Sequence, residues 1–505
     1  MNDIVERPNP ILGRGQRVTT TPGVQAGLSI DYKLNRYNNI GLIYNASDSK
    51  SLTTLNNKSS YHTGDNLDSI LNTTANISRP LFTQTLNAYH DLKIDTTGKK
   101  LSSSVSFFTN KPSIRNDFVS ESENTSAPVR NNSVSRYDIW SIQSDLTLPY
   151  KWVIIETGIK FANFNNGADV AYYNYVHDEF LLDKTRSNEF NYTENNLASY
   201  VSMESELSKK WTAKVGLRYE YTTMDGYSPT LEQRSKRSYG ALFPTAYLLY
   251  KASGSDVISF NYSRRINRPG LNFLNPFAFY SNIYSYSVGN PLLLPSYSNN
   301  WEISYLYKGW FSFTAFTQHS SDIFSSITTV NGPSVVSRIE NYLAQDNLGA
   351  YVSFNRALFK WWDNSTSASF FFTSSNSKIE DIPTQNGTST SLSVNNSFKA
   401  TPKLSFYLNY SQNLPSTGGN VYTYSQSNLT IGTRLKLLNS NLILSSSFFI
   451  GSVSKYDIRF IDFVQSVKTD YDYKTFNLGL TYLFGRSKVS GNNRNVLFDE
   501  KRRAQ

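Results

Sequence analysis

The chain has 505 residues, 39% of them apolar, with 14% aromatics carried by 35 Tyr, 31 Phe and 7 Trp. That aromatic content excludes a disordered chain, and with no run near 18 consecutive apolar residues a transmembrane helix is excluded as well. The formal charge of +10 is scattered along the chain rather than gathered on one face or tail, which argues against nucleic acid as a partner.

Cysteine is absent, so the chain has no disulfide framework, thiolate metal site or cysteine nucleophile. The start, MNDIVERPNP, lacks the basic and apolar regions of a secretory signal. A chain bound for an outer membrane needs such a signal, so the sequence reads as the C-terminal part of something longer. Residues 1–26 are expected to be loop-like or the cut end of a barrel.

From residue 27 onward the dominant pattern is alternation with a period of two, the signature of strands with one apolar and one polar face. Leu28, Ile30, Tyr32 and Leu34 alternate with Ser29, Asp31 and Lys33. Val215, Leu217, Tyr219 and Tyr221 alternate with Gly216, Arg218, Glu220 and Thr222, and Trp301, Ile303, Tyr305 and Tyr307 oppose Asn300, Glu302, Ser304 and Lys308. In 426–437, Leu429, Ile431, Leu435 and Leu437 face away from Thr430, Gly432, Arg434 and Lys436. Many such runs reach about 9–11 residues, enough to cross a bilayer at the usual tilt, whereas soluble strands average about 5–6.

The connections fall into two alternating classes. Short polar turns lie near Pro149–Lys151, Ser208–Lys210, Gly309, Thr401–Lys403 and Leu438–Asn441. Long Ser/Asn/Gly-rich stretches, read as loops, cover 48–83, 110–136, 165–195, 224–240, 265–299, 374–389, 412–425 and 452–470. Tight turns on one side and long excursions on the other describe an outer-membrane barrel. The expectation is an all-β, transmembrane antiparallel β-barrel over 27–485, followed by a polar, basic periplasmic tail over 486–505. Counting gives about 19 strands, and an odd count starting inward implies a parent of 22. Phe370, Phe371 and Phe372, Trp361 and Trp362, and Tyr471 and Tyr473 are candidates for interfacial girdles, with ordinary strand propensity as the alternative.

Four stretches from about residue 197 onward carry a family resemblance. Gly216 to Thr222 reads GLRYEYT, and Phe243-Pro244 is followed by Tyr247 and Leu249. Tyr262 to Phe277 reads YSRRINRPGLNFLNPF, and Gly289 to Lys308 reads GNPLLLPSYSNNWEISYLYK. This order of motifs resembles the TonB-dependent receptors, in particular their outer-membrane β-barrel family. Ser296 stands where that family usually has an acidic residue after the second proline, which puts a charge-based role for the position in doubt. Leu478, Leu480, Tyr482 and Phe484 resemble the β-signal read by the barrel-assembly machinery. The resemblance implies uptake of a scarce ligand (siderophore, cofactor or oligosaccharide) across the bacterial outer membrane. It also implies partners: outer-membrane lipid and lipopolysaccharide, a plug domain and an energy-coupling protein in a full-length parent. Neither the plug nor the coupling motif is visible in the sequence.

Arg264, Arg265 and Arg268 cluster where a strand leaves the membrane and are candidate contacts for an anionic ligand or lipopolysaccharide phosphate; a solvated rim is the alternative. Pro269, Pro276, Gly289, Pro291 and Pro295 shape a long loop, either a ligand lid or a structural connection. Arg218, Glu220, Arg434 and Lys436 are expected to face the lumen or a plug. The four histidines, His62, His90, His177 and His319, show no metal-ligand spacing, and His177-Asp178-Glu179 reads as a polar loop. No arrangement for nucleophilic catalysis or phosphate binding is present, so neither an enzyme nor a cofactor is expected. Two rivals remain at this point: an outer-membrane scaffold, adhesion or secretion-related barrel, and a soluble secreted β-protein that binds carbohydrate.

Overall fold

A computed structural model describes residues 11–504, apart from 64–65, 124, 281–282, 332–333, 381, 383, 385, 460–463, 470–473 and 484–497. Twenty-three strands form one sheet. Three of them, Glu179–Leu182, Ala278–Tyr280 and Ser285–Val288, are short accessories. Ile11–Thr20 and Gly23–Lys33 pair end to end along the same partner, Asn38–Thr63. The wall therefore holds nineteen described strands, each antiparallel to its sequence neighbours, in agreement with the count from alternation. The wall starts upstream of the expected boundary at residue 27, because Gln16 to Thr20 pair with Asn56 to Leu52. Among the described residues no pairing joins the first wall strand to the last, Lys474–Tyr482.

The alternation sorts side chains as the bilayer demands. Val215, Leu217, Tyr219 and Tyr221 point out of the wall and are 41–56% exposed, while Thr222 and Met224 on the opposite face are buried. The apolar row faces lipid and the polar row faces the lumen. Placing arginine at Leu217 is expected to cost about 2–4 kcal/mol near the bilayer midplane. Leu217→Arg should therefore lower the denaturant midpoint of the purified barrel, while Thr212→Ser on the opposite face of the same strand changes it little. Equal midpoints would show that this face does not contact lipid.

The stretches 48–83, 110–136 and 165–195, expected to be loops, are strands over most of their length, and this corrects the sequence reading. Asn38–Thr63 and Asn66–Lys93 run for 26 and 28 residues, and Thr125–Pro149 for 25. A bilayer needs only about 9–11, so these hairpins rise far beyond it. Past the membrane the outward face meets water, and the buried inward face carries polar residues such as Thr73, Asn116, Ser120 and Asn131 among the apolar ones, so no continuous apolar row marks the strand. The ladder is held instead by strand-forming residues and cross-strand polar pairs such as Thr73 with Ser120 at 3.1 Å. The projecting ends gain a core where Ala75, Ile77, Phe118, Val129 and Tyr172 pack together.

The opposite end has tight turns. At 94–99, Asp95 accepts from the Thr97 hydroxyl and from the Thr97 and Lys99 amides, which holds its carboxyl down to about 2. Lys308 and Gly309 supply positive φ of 49° and 70° for the turn expected near Gly309. Aromatic clusters gather at this same end. Trp361 stacks on Phe359 at 5.6 Å and on Trp362 at 6.0 Å, and Trp211 lies 4.5 Å from Tyr250. Phe370 and Phe372 are exposed on the lipid side, and Tyr471 and Tyr473 lie outside the described residues.

Candidate functional site in the barrel lumen

The lumen is lined in its outer half by side chains that would be unusual beside free water. Phe108, Ile139, Phe164, Phe190, Tyr192 and Met224 point inward and are buried. Their cover is the segment between the strands Asp256–Asn267 and Ser296–Tyr307. It leaves the wall at Arg268-Pro269, makes one 3-10 turn at Leu271–Phe273, and returns through Gly289-Asn290-Pro291. Leu271, Leu274 and Leu293 are each no more than 1% exposed against that inward-facing band.

Backbone contacts hold the two limbs of this loop together. The Asn290 amide donates to the Phe273 carbonyl at 2.7 Å. A Cβ on Gly289 would stand 2.2 Å from the Asn275 carbonyl oxygen and 2.6 Å from that of Phe273, so only glycine fits. The loop is then tied to the wall strand Ser334–Phe359. Asn290 Nδ2 donates to the Ile339 carbonyl and to Glu340, Asn341 Nδ2 donates to the Leu294 carbonyl, and Ser285–Val288 pairs in parallel with Val335 to Arg338. The Tyr280 ring packs 5.0 Å from Tyr172, and Arg186 lies over both. Beside them Asp183 is held below the usual carboxylate range, mainly by the Thr185 hydroxyl.

Beneath the loop lies a charged network. Arg268 Nη2 reaches Glu220 Oε2 at 2.7 Å and Thr222 at 3.1 Å, and its Nε donates to the Tyr239 hydroxyl at 3.2 Å. Arg218 Nε holds the other oxygen of Glu220 at 2.6 Å. Glu194 is fully buried, accepts from Asn196 at 2.8 Å and from the Tyr192 hydroxyl, and lies 4.0 Å from Arg268. Its main partner is Arg503 near the C-terminus, with Nη2 on Oε2 at 2.8 Å.

The structure separates the three arginines that sequence places together. Arg264 lies 5.2 Å over the Tyr297 ring, Arg265 is exposed, and Arg268 is turned inward into the network. Arg218 and Glu220 are brought together with Arg268. Arg434 and Lys436 share the lumen side of their strand with Gly432, but among the described residues no ion pair reaches them. Leu478, Leu480 and Tyr482 face outward on the last strand, opposite Ser446, Leu444 and Leu442; Phe484 lies outside the described residues. His177 and Asp178, with φ of 50° and 64°, form the tip of a two-residue hairpin, and among the described residues no cluster of metal-ligating side chains exists.

The tail assigned to the periplasm over 486–505 is also placed differently. Phe498 to Ala504 sit inside the lumen, because their aromatic and charged groups find buried partners there. Glu194, Tyr192, Asn290, Asn341 and Arg503 are the residues that sequence reasoning missed. The signal for the first two was present, since Asn188, Phe190, Tyr192 and Glu194 alternate on one face and all four are buried.

On the outer side of the loop is a cavity of about 590 Å³ lined by Arg237, Tyr286, Asn290, Arg338, Glu340 and Asn341, among others. Its charged groups are the guanidinium groups of Arg237 and Arg338 and the Glu340 carboxylate, 3.8 Å from Arg338, while both amides are taken up by the loop contacts. A wall with a lipid-facing belt, an inward loop and a mouth cavity is the plan of an outer-membrane barrel with an occupied lumen.

The model of the outer membrane protein beta-barrel family matches residues 92–482. The chain belongs to this family. The matched region begins well upstream of residue 197, where the motifs become readable, and it places the protein in the bacterial outer membrane. Solved structures share the fold at low identity. The copper transporter OprC is 10% identical with a TM-score of 0.60, over 87% of this chain and 74% of that one. The ferric-catecholate import receptor Fiu from E. coli K12 is 11% identical with a TM-score of 0.58, over 94% and 81%. The FpvAI–pyocin S2 complex gives 12% and 0.58, over 94% and 72%. No curated protein matches this sequence. A soluble secreted carbohydrate binder is overturned by the family membership and by the outward apolar belt.

Proposed function

We propose that this outer-membrane barrel is the channel wall and outer mouth of a TonB-dependent-like receptor that takes up a scarce ligand. The observation that carries the reading is the loop 268–295, which packs Leu271, Leu274 and Leu293 into the lumen, is tied to the wall strand Ser334–Phe359, and leaves a cavity with two arginines open to the outside. A passive pore has no use for a lumen packed with leucines. A receptor that captures a ligand first and releases it inward on energy input does. The solved structures that share the fold include an import receptor and a transporter by name, which supports the same reading. In this mechanism a plug domain and an inner-membrane energy-coupling protein are partners, lipid and lipopolysaccharide surround the belt, and the barrel-assembly machinery reads the last strand. The ligand is a siderophore, cofactor or oligosaccharide with an anionic or hydrogen-bonding face, because Arg237 and Arg338 bind such groups well. No enzymatic step is assigned.

The test is uptake of radiolabelled candidate ligands by cells carrying or lacking the protein. Uptake is expected to stop when the proton gradient is collapsed, and Arg338→Ala should weaken ligand binding about tenfold or more, in line with about 1.5–3 kcal/mol for a hydrogen bond to a charged group. Gradient-independent uptake, or no uptake, would overturn the reading.

The long projecting hairpins favour a second reading, an outer-membrane scaffold or adhesin without transport. It predicts that deleting the hairpin tips abolishes surface binding while no ligand needs the protein for entry.

A further inference from the structure

We propose that the lumen wall around Glu194 is a binding site for an arginine-bearing peptide segment, and that its resident ligand is this chain's own residues 498–504. The C-terminal tail is thus a tethered stopper in the barrel. This goes beyond uptake and stands whatever the imported ligand is.

Four residues of the segment build the site. Arg503 engages both oxygens of Glu194, its guanidinium lies 4.7 Å over the Phe164 ring, and its Nε donates to the Pro269 carbonyl at 3.3 Å. A planar fork against a carboxylate, with an aromatic face beneath, selects arginine over lysine. Glu500 meets Lys160 at 2.6 Å, a pair of reversed polarity that fixes the direction of the segment. Asn110 Nδ2 donates to the Ala504 carbonyl at 2.7 Å, and Phe498, 4% exposed, packs edge-on to Phe108 at 6.4 Å.

The wall is unfinished without the tail. Glu194 is fully buried, and apart from Arg503 its nearest cation, Arg268, stands 4.0 Å away and is committed to Glu220 at 2.7 Å. A buried carboxylate left so is strongly disfavoured. Because Arg503 also holds the carbonyl of Pro269, where the lumen loop begins, tail and loop seat together.

The absence of cysteine allows a direct test in outer membranes of intact cells. Asn110→Cys and Ala504→Cys are introduced together, and an intramolecular disulfide is read as a gel shift reversed by reductant. It is expected to form with mild oxidant. Adding Arg503→Ala should slow it at least tenfold, with Arg503→Lys between, and an excess of a synthetic peptide of residues 498–505 should compete. Heat-modifiable gel mobility checks that the barrel of each variant is folded, and only folded variants are compared. A folded barrel with no disulfide, in which Ala504→Cys reacts fully with a water-soluble maleimide, would overturn the proposal. So would a cross-link whose rate is indifferent to Arg503.

Discussion

Replacing Arg268 with alanine is expected to destabilise the barrel by about 3 kcal/mol, near the lower end of what breaking a buried ion pair costs. The guanidinium is 13% exposed and is shared among Glu220, Thr222 and Tyr239, with Glu194 at 4.0 Å. Its loss leaves Arg218 beside Glu220 and Arg503 beside Glu194, so one partly buried and one fully buried carboxylate each lose a positive neighbour. Lysine should restore only part, because one ammonium cannot reproduce the fork. Arg264→Ala and Arg265→Ala, which touch the Tyr297 ring and solvent, are expected to cost under about 1 kcal/mol. Denaturant midpoints of the four purified variants decide the matter. If all three alanine variants melt alike, the inward placement of Arg268 is wrong.

Gly289→Val is expected to expel the lumen loop. Its first side-chain atom would lie 2.2 Å from one backbone oxygen and 2.6 Å from another, and backbone atoms have no rotamer by which to retreat. Overpacking of this kind costs about 1–3 kcal/mol when the surroundings can give, and more when they cannot. If the loop leaves its seat, Leu271, Leu274 and Leu293 each forfeit about 1.5–3 kcal/mol of burial. Protease added to intact cells should then cut within 268–295, a segment that resists in the parent. Unchanged protection, with the barrel folded, would show that the loop is not wedged at Gly289. Loss of ligand uptake in the same variant would connect this wedge to the proposed function.

Much of the architecture was legible in the sequence because a bilayer imposes a local rule. Each crossing strand must show lipid one apolar face, so Leu217, Tyr219 and Tyr221 on one side and Arg218 and Glu220 on the other could be assigned from spacing alone. The same rule yields nineteen strands, the turn-end positions at Gly309 and Leu438–Asn441, and the motifs that resemble the receptor family. The rule lapses outside the membrane. At 48–83 and 110–136 the outward face meets water and the buried inward face is partly polar, as at Thr73, Asn116 and Asn131, so apolar alternation fades and strands read as loops. Only the cross-strand ladder, with partners such as Thr73 and Ser120 47 residues apart, makes them hairpins.

The site was legible in part for a related reason. Periodicity tells which way a side chain points and nothing about what it meets across the lumen. Arg264, Arg265 and Arg268 are neighbours in sequence, yet the chain turns at Pro269 and sends the last of them inward. Glu194 and Arg503 are 309 residues apart, and no local pattern links them. What the sequence by itself determined is the class of protein, its membrane, a strand number of about 19 and the inward or outward sense of wall residues in the alternating stretches. The tertiary structure alone decided that a loop and the C-terminal tail fill the lumen. Closing the wall brings distant strands face to face, and a buried carboxylate there is stable only where the fold delivers a guanidinium to it.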